Sequence, residues 1–152
     1  MGSLAPRAPT IEEVAAFTRR GANRQNATVE LTAANPVLAV HDLARSSEWY
    51  ERVLGCESAE IAGGGWVFCR QGAVTFMLGL CPDVIAAADI GDHSYLAYLR
   101  VDDVDEFHAR AVDAEAEVLK PPRDEPWGMR EMALRSPDGH RFMLGSPIAT
   151  GT

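Results

Sequence analysis

Most of this chain is one motif written twice, which confines the fold to a tandem of a single repeated unit. The first copy opens with Val40-His41-Asp42-Leu43, runs through a helical stretch to Gly55-Cys56-Glu57 and closes on Phe76-Met77-Leu78. The second opens with Val101-Asp102-Asp103-Val104, runs through a helical stretch to Ala116-Glu117-Val118 and closes on Phe142-Met143-Leu144. Asp42 and Gly55 stand 13 positions apart, as do Asp103 and Ala116. A fixed interval between a helix start and a helix stop, used twice, marks duplication of one supersecondary unit. Two such units side by side enclose a cleft.

The periodicities give the unit its order. Pro36 to Val40 is an apolar run of strand length, and Asp42 is placed to cap the helix behind it. Leu43, Ser47, Tyr50 and Leu54 recur at helical spacing as one inward stripe, and Gly55 stops the helix. Strands are predicted over Cys56–Ile61, Trp66–Arg70 and Ala73–Leu80, with Gly63-Gly64-Gly65 and Gln71-Gly72 as the turns. The second copy predicts a strand over Tyr95–Val101, then a helix from Val104 to Ala114 with Val104, Phe107 and Ala111 inward. A weak strand near Val118 and two stronger ones, Arg130–Arg135 and Arg141–Gly145, complete it. Pro137-Asp138-Gly139 joins the last pair, since proline presets φ and glycine accepts a positive φ. The fold class is α+β: two tandem βαβββ modules forming a cup-shaped mixed sheet.

Composition then limits what the cleft is for. At 152 residues, 47% apolar and 24% charged, the chain suits one domain that buries a sufficient core without staples. Cys56, Cys69 and Cys81 are odd in number and lack the short paired spacings of zinc or redox motifs, so they read as small apolar residues suited to a reducing cytoplasm. No apolar run approaches the ~20 residues that span a bilayer, and the N-terminus lacks a signal-peptide core. The expectation is a cytoplasmic protein with no membrane partner. A net charge of -8 argues against a nucleic-acid partner and matches a cationic ligand better. Residues 1–30 carry four arginines against three glutamates, so the acidity belongs to the remainder. Residues 1–34 read as an arm, in which Thr10 and Glu13 form a capping box for a short helix, Ile11 to Arg20. The domain proper covers residues 35–147, with modules at about 35–82 and 93–147, and residues 148–152 form a tail.

The paired βαβββ pattern, the string Trp49-Tyr50-Glu51-Arg52-Val53-Leu54-Gly55 after the opening Val-x-Asp-Leu, and the closing Pro137-Asp138-Gly139 resemble the glyoxalase, bleomycin-resistance and extradiol dioxygenase superfamily. That resemblance covers residues 35 to 147. It implies the fold but not the reaction, because the superfamily holds isomerases, dioxygenases, thiol transferases and proteins without catalysis. In metal-dependent members the ion is held by the first and last strands of each unit, which fall here at Asn35, Met77, Leu96 and Met143. None of these is the imidazole, carboxylate or thiolate that a hard or borderline divalent ion requires. No metal or other cofactor is expected, and Met77 and Met143 read as apolar floor on the two sides of the cup. The histidines His41, His93, His108 and His140 are scattered in sequence, and no nucleophile motif or phosphate loop is present.

The stretch Glu125-Pro126-Trp127-Gly128-Met129-Arg130-Glu131 is similar to the corresponding part of the bleomycin-resistance proteins, as is Arg70 to Leu80 leading to Tyr95 through Val101. Those are metal-free homodimers that sequester a bulky cationic drug between subunits. The resemblance implies a homodimer that binds a hydrophobic aromatic small molecule, neutral or cationic, and performs no catalysis. The residues expected to hold it are Trp66, Phe68, Met77, Tyr95, Tyr98, Trp127, Met129 and Met143, with Glu125 and Glu131 offering negative charge. Two alternatives stand beside this reading. One is an enzyme on the same fold, a lyase, isomerase or dioxygenase with an unusual or absent metal site. The other is an accessory domain that docks a partner protein through the arm.

Overall fold

The computed structural model describes residues 33–91 and 95–148. The expected arm helix, His93 and the end of the tail lie outside the described residues. The first module runs β1 (Val37–Val40), α1 (Leu43–Leu54), β2 (Glu57–Glu60), β3 (Trp66–Gln71) and β4 (Val74–Leu80). A short 3-10 turn at Ala87–Asp89 leads to the second module: β5 (Ala97–Arg100), α2 (Val104–Asp113), β6 (Glu117–Asp124), β7 (Met129–Arg135) and β8 (Arg141–Pro147). Each module is a four-stranded mixed sheet, ordered β1-β4-β3-β2 and β5-β8-β7-β6. The first and last strands of each unit pair in parallel, Val37 with Met77 and Tyr98 with Met143, and every other pair is antiparallel. The α+β class and the repeated βαβββ order are those expected from the sequence.

Local chemistry accounts for the helix ends. The Asp42 carboxylate accepts from the Arg45 amide, and the Asp103 carboxylate accepts from the amides of Asp105 and Glu106, so each aspartate satisfies donors that a first helical turn leaves unpaired. Gly55 takes φ 71° and donates back to the carbonyls of Tyr50 and Glu51, a left-handed stop. The second copy departs here. Its left-handed residue is Glu115, at φ 56°, one position before Ala116, so α2 ends sooner and without glycine.

The inward face of α1 is Ser46, Trp49, Tyr50, Val53 and Leu54 rather than the expected stripe through Leu43 and Ser47. Counting from Tyr50 in the other direction gives the i, i+3, i+4, i+7, i+8 pattern of a globular helix, which includes Trp49. Trp49, Tyr50, Phe76 and Phe142 form one aromatic cluster, with ring centroids 5.1–6.1 Å apart. Phe142 belongs to the second module and its three neighbours to the first, so the modules share a core. The Tyr50 hydroxyl is buried there without a hydrogen-bond partner among the described residues.

The weak strand near Val118 proves to be eight residues long, β6, despite Pro121 and Pro122. It lies at a sheet edge and shifts register against β7 twice, between Val118 and Lys120 and again between Lys120 and Arg123. An edge strand tolerates proline because one side of its backbone needs no partner.

Candidate functional site

Strand alternation divides each sheet into a core face and an open face. Val67, Cys69, Phe76 and Leu78 are buried against the first helix, which sends Trp66, Phe68, Met77 and Gly79 to the opposite face. Phe142 and Leu144 are buried in the second module, which sends Met143 and Gly145 to the opposite face, beside Tyr98 on β5 and Met129 and Glu131 on β7. That face is open: Val37 is 60% exposed, Trp66 40%, Tyr98 46% and Trp127 49%. Large apolar side chains at such exposure make this face, rather than the core, the candidate site.

The internal repeat extends one letter further than the closing Phe-Met-Leu. Both copies read Phe-Met-Leu-Gly, and each glycine seats an aromatic ring. A β-carbon at Gly79 would come within 3.0 Å of the Trp66 ring, and one at Gly145 would come within 1.9 Å of the Tyr98 hydroxyl. The absence of a side chain therefore lets each ring settle against the strand beside the equivalent methionine, Met77 or Met143.

A polar ridge distinguishes the second face from the first. The Tyr98 hydroxyl and the Trp127 indole N–H both donate to Glu131 Oε1, each at 2.9 Å. Lys120 Nζ bonds to Glu125 and stands 3.7 Å from Glu131 Oε2, and Arg123 lies 3.8 Å from Glu125. Burial, then the contact with Glu131, pushes the Tyr98 hydroxyl up to about 12, so it stays protonated and a donor at neutral pH. Glu125 and Glu131 are buried and engaged, and Glu131 fixes the orientation of two rings while Lys120 and Arg123 meet the acidic charge. Lys120 is the only lysine of the chain. It escaped the sequence reading because β6 looked too weak to aim a side chain, although a lone lysine between two glutamates was the signal.

The remaining residues fall as follows. The cavity of about 310 Å³ beside Trp66 and Gly79 takes all its lining, including Val37, Ala39 and Leu80, from the first module and the residue after it. Tyr95 lies apart from both faces, stacked with Arg141 at 5.6 Å in a groove of about 360 Å³ beneath Ala87 and Ile90. A neighbouring groove of about 250 Å³ joins Val37 and Ala39 to Leu96 and His140. Trp66, Phe68 and Met77 thus form one group, and Tyr98, Glu125, Trp127, Met129, Glu131 and Met143 a second.

The donor set at the family's metal positions does not fit a hard or borderline divalent ion. Met77 and Met143 offer thioethers, Leu96 has no donor and Asn35 is an exposed amide. Among the described residues no three His, Cys, Asp or Glu side chains gather to hold a metal. Two histidines do converge, contrary to their scatter in sequence, because His41 and His140 both flank Asp138. Asp138 Oδ1 accepts from the His41 amide at 2.9 Å and meets His41 Nδ1 at 3.0 Å, and Oδ2 accepts from Ser46 Oγ at 2.6 Å. His41 Nε2 faces the Val84 carbonyl at 2.7 Å, so both ring nitrogens meet acceptors, and its pKa is raised by Val84 first and Asp138 second. Burial lowers that of His140. Asp138 closes a joint between the modules.

Two βαβββ units with a shared core and open aromatic faces define a paired-module class of protein. The chain belongs to the Glyoxalase/Bleomycin resistance protein/Dioxygenase superfamily, whose family model matches residues 31–144. Among solved structures it is similar to TioX from Micromonospora sp. ML1, at 26% identity and a TM-score of 0.60 over 76% of this chain and 100% of that one. The fosfomycin resistance protein FosX of Listeria monocytogenes shares the fold, with a TM-score of 0.64 at 16% identity over 80% of this chain and 97% of its own. An uncharacterised protein of Mycobacterium bovis is 28% identical over 127 residues, 76% of this chain and 84% of that protein. No described helix is long and apolar enough to cross a membrane.

Proposed function

We propose that this protein binds and sequesters a hydrophobic, aromatic small molecule, neutral or cationic, without a metal. In this reading a second copy of the chain completes each cup. The observation that carries it is the pair of glycine-seated rings, Trp66 on Gly79 and Tyr98 on Gly145, each beside a methionine on a solvent-open face. Exposed rings favour stacking with a planar ligand, and their quadrupoles attract a cationic one by ~0.5–2 kcal/mol each. The first face is apolar and the second carries the Tyr98–Glu131–Trp127 ridge, so a ligand between two such faces would meet stacking on one side and hydrogen-bonding groups on the other. Covering these faces with the same chain is also the simplest way to remove so much apolar surface from water.

The test is a titration of intrinsic tryptophan fluorescence in metal-stripped protein with bleomycin-type and other polycyclic antibiotics. Micromolar binding, about -8 kcal/mol, is what protective sequestration needs. Saturable quenching that is lost in Trp66→Ala and Trp127→Ala supports the reading. Light scattering should give a dimer at micromolar concentration. A monomer would overturn the dimeric reading, and thermal stability restored by one equivalent of added metal with no quenching by any compound would overturn sequestration in favour of an enzyme.

A further inference from the structure

The segment that joins the modules is pinned to the fold yet presents apolar side chains to water. Cys81 donates its amide to the Val40 carbonyl, Ala87 donates to that of Asp138, and the Val84 carbonyl meets His41 Nε2 at 2.7 Å. The segment lies so close on the β7–β8 turn that a β-carbon at Gly139 would come within 2.3 Å of the Ala88 nitrogen. Even so, Ile85 is 68% exposed and Ile90 71%, and Val37, Tyr95 and Leu96 are exposed beside them. The grooves of about 250 and 360 Å³ that these residues line share Ala87, Ile90, Leu96 and His140, so they form one trough across the Asp138 joint. An apolar trough with pinned walls is a surface shaped for an occupant.

Two features say what covers it. The chain enters the fold at the rim of the trough, because Val37 lines it, and residues 1–32 precede the first described one. Within them Ile11, Val14, Ala15 and Phe17 fall on one side at the helical period, and Glu12, Glu13, Arg19 and Arg20 fall on the other. The charges also match. Asp83 and Asp89 flank the exposed isoleucines, are themselves exposed and form no ion pair among the described residues, and no lysine or arginine stands between Cys81 and Gly91. Arg19, Arg20 and Arg24 stand on the domain side of the apolar run. Residues 21–32 span up to ~40 Å when extended, enough to bring that run to the trough.

We propose that residues 11–20 of the same chain occupy this trough, with Val14 and Phe17 against Ile85 and Ile90 and the arginines toward Asp83 and Asp89. Attachment at the rim sets an effective concentration on the order of millimolar, so an apolar contact too weak to hold two separate molecules holds within one chain. The arm then covers the joint between the modules instead of recruiting a partner protein. This assignment does not depend on what the open faces bind.

The experiment is disulfide trapping in the full chain carrying Cys81→Ser, which removes the exposed native thiol. Phe17→Cys is paired with Ile85→Cys, with Ile90→Cys or, as a control at an exposed position of α2, with Val112→Cys. Mild oxidation of dilute protein should join Phe17→Cys to the Ile85 or Ile90 position about tenfold faster than to the Val112 position, and within single chains, as peptide mass spectrometry and non-reducing gels would show. A proton–nitrogen NMR spectrum of Phe17→Ala with the native cysteines gives a readout that needs no new thiol, and the amides of Ile85, Ile90 and Leu96 should shift in it. Equal rates at all three positions, or an unchanged spectrum, would overturn the proposal. Bonds found only between chains would overturn it too, by placing the arm of a second copy in the trough.

Discussion

Replacing Asp138 with alanine is expected to destabilise the protein by about 3–5 kcal/mol, the usual cost of breaking one side of a buried charged cluster. The side chain is 1% exposed and accepts the His41 amide at 2.9 Å and the Ser46 hydroxyl at 2.6 Å, with the His41 ring at 3.0 Å. Hydrogen bonds to a charged acceptor contribute ~1.5–3 kcal/mol each, and their loss leaves the Ser46 hydroxyl buried and unpaired. A domain with ~5–15 kcal/mol in total would be left near its threshold. Urea unfolding at pH 6 of the wild type, Asp138→Ala, Ser46→Ala and the double variant would measure this, with a coupling of ~0.5–3 kcal/mol between the two sites. A loss below ~1 kcal/mol, or strict additivity, would refute the joint as a stabilising contact.

The same latch has a pH signature. Burial alone would raise the Asp138 pKa, but the His41 amide, the Ser46 hydroxyl and the His41 ring outweigh it and hold the carboxyl below its ordinary 3.8. Its contribution is complete above that value and lost as pH falls through the lowered one. His41 moves the other way, so its contribution is complete below its ordinary 6.5 and lost as pH rises through the raised value. The latch is strongest between those limits, and Asp138→Ala should flatten the acid limb of the stability profile while only reducing the alkaline one, because the Val84 carbonyl still holds the His41 proton.

Gly145→Ala should cost about 1–3 kcal/mol and release Tyr98, whose hydroxyl would lie 1.9 Å from the new β-carbon, while Gly79→Ala, at 3.0 Å from the Trp66 ring, should cost less; thermal melts of the pair would show the order. Tyr50→Phe removes a buried hydroxyl with no partner among the described residues and should leave stability unchanged or raise it by ~1 kcal/mol in urea unfolding; a clear loss would reveal a partner. In a thiol-labelling assay the native protein should show one fast cysteine, the exposed Cys81, because burial pushes the Cys56 thiol up to about 12 and raises that of Cys69. Fast reaction of a second thiol would contradict the packing of the first module.

The repeated spacing, the two aspartate caps and the apolar runs made the architecture legible in the sequence, because each is a local signal that tertiary contacts reinforced. What stayed hidden were consequences of strands meeting. β6 contains two prolines, so propensity undervalued it, and Lys120 went unnoticed with it. The Pro137-Asp138-Gly139 turn was legible as a turn, but that its aspartate crosses to His41 and Ser46 depends on contacts 97 and 92 residues apart in sequence. The open faces could be assigned from alternation alone, whereas the division of the aromatic residues into two groups required the arrangement of both sheets. The fourth shared letter, glycine, was visible from the start, and its meaning came only with the rings resting on it.

The placement of Phe142 among Trp49, Tyr50 and Phe76 has a consequence during synthesis. A ribosome releases the first module long before the residue that completes its core, so the nascent half must wait with Tyr50 and Phe76 incompletely covered. Neither half should become a resistant fragment under limited proteolysis, and chains truncated before β8 should engage chaperones or aggregate rather than persist as a folded half.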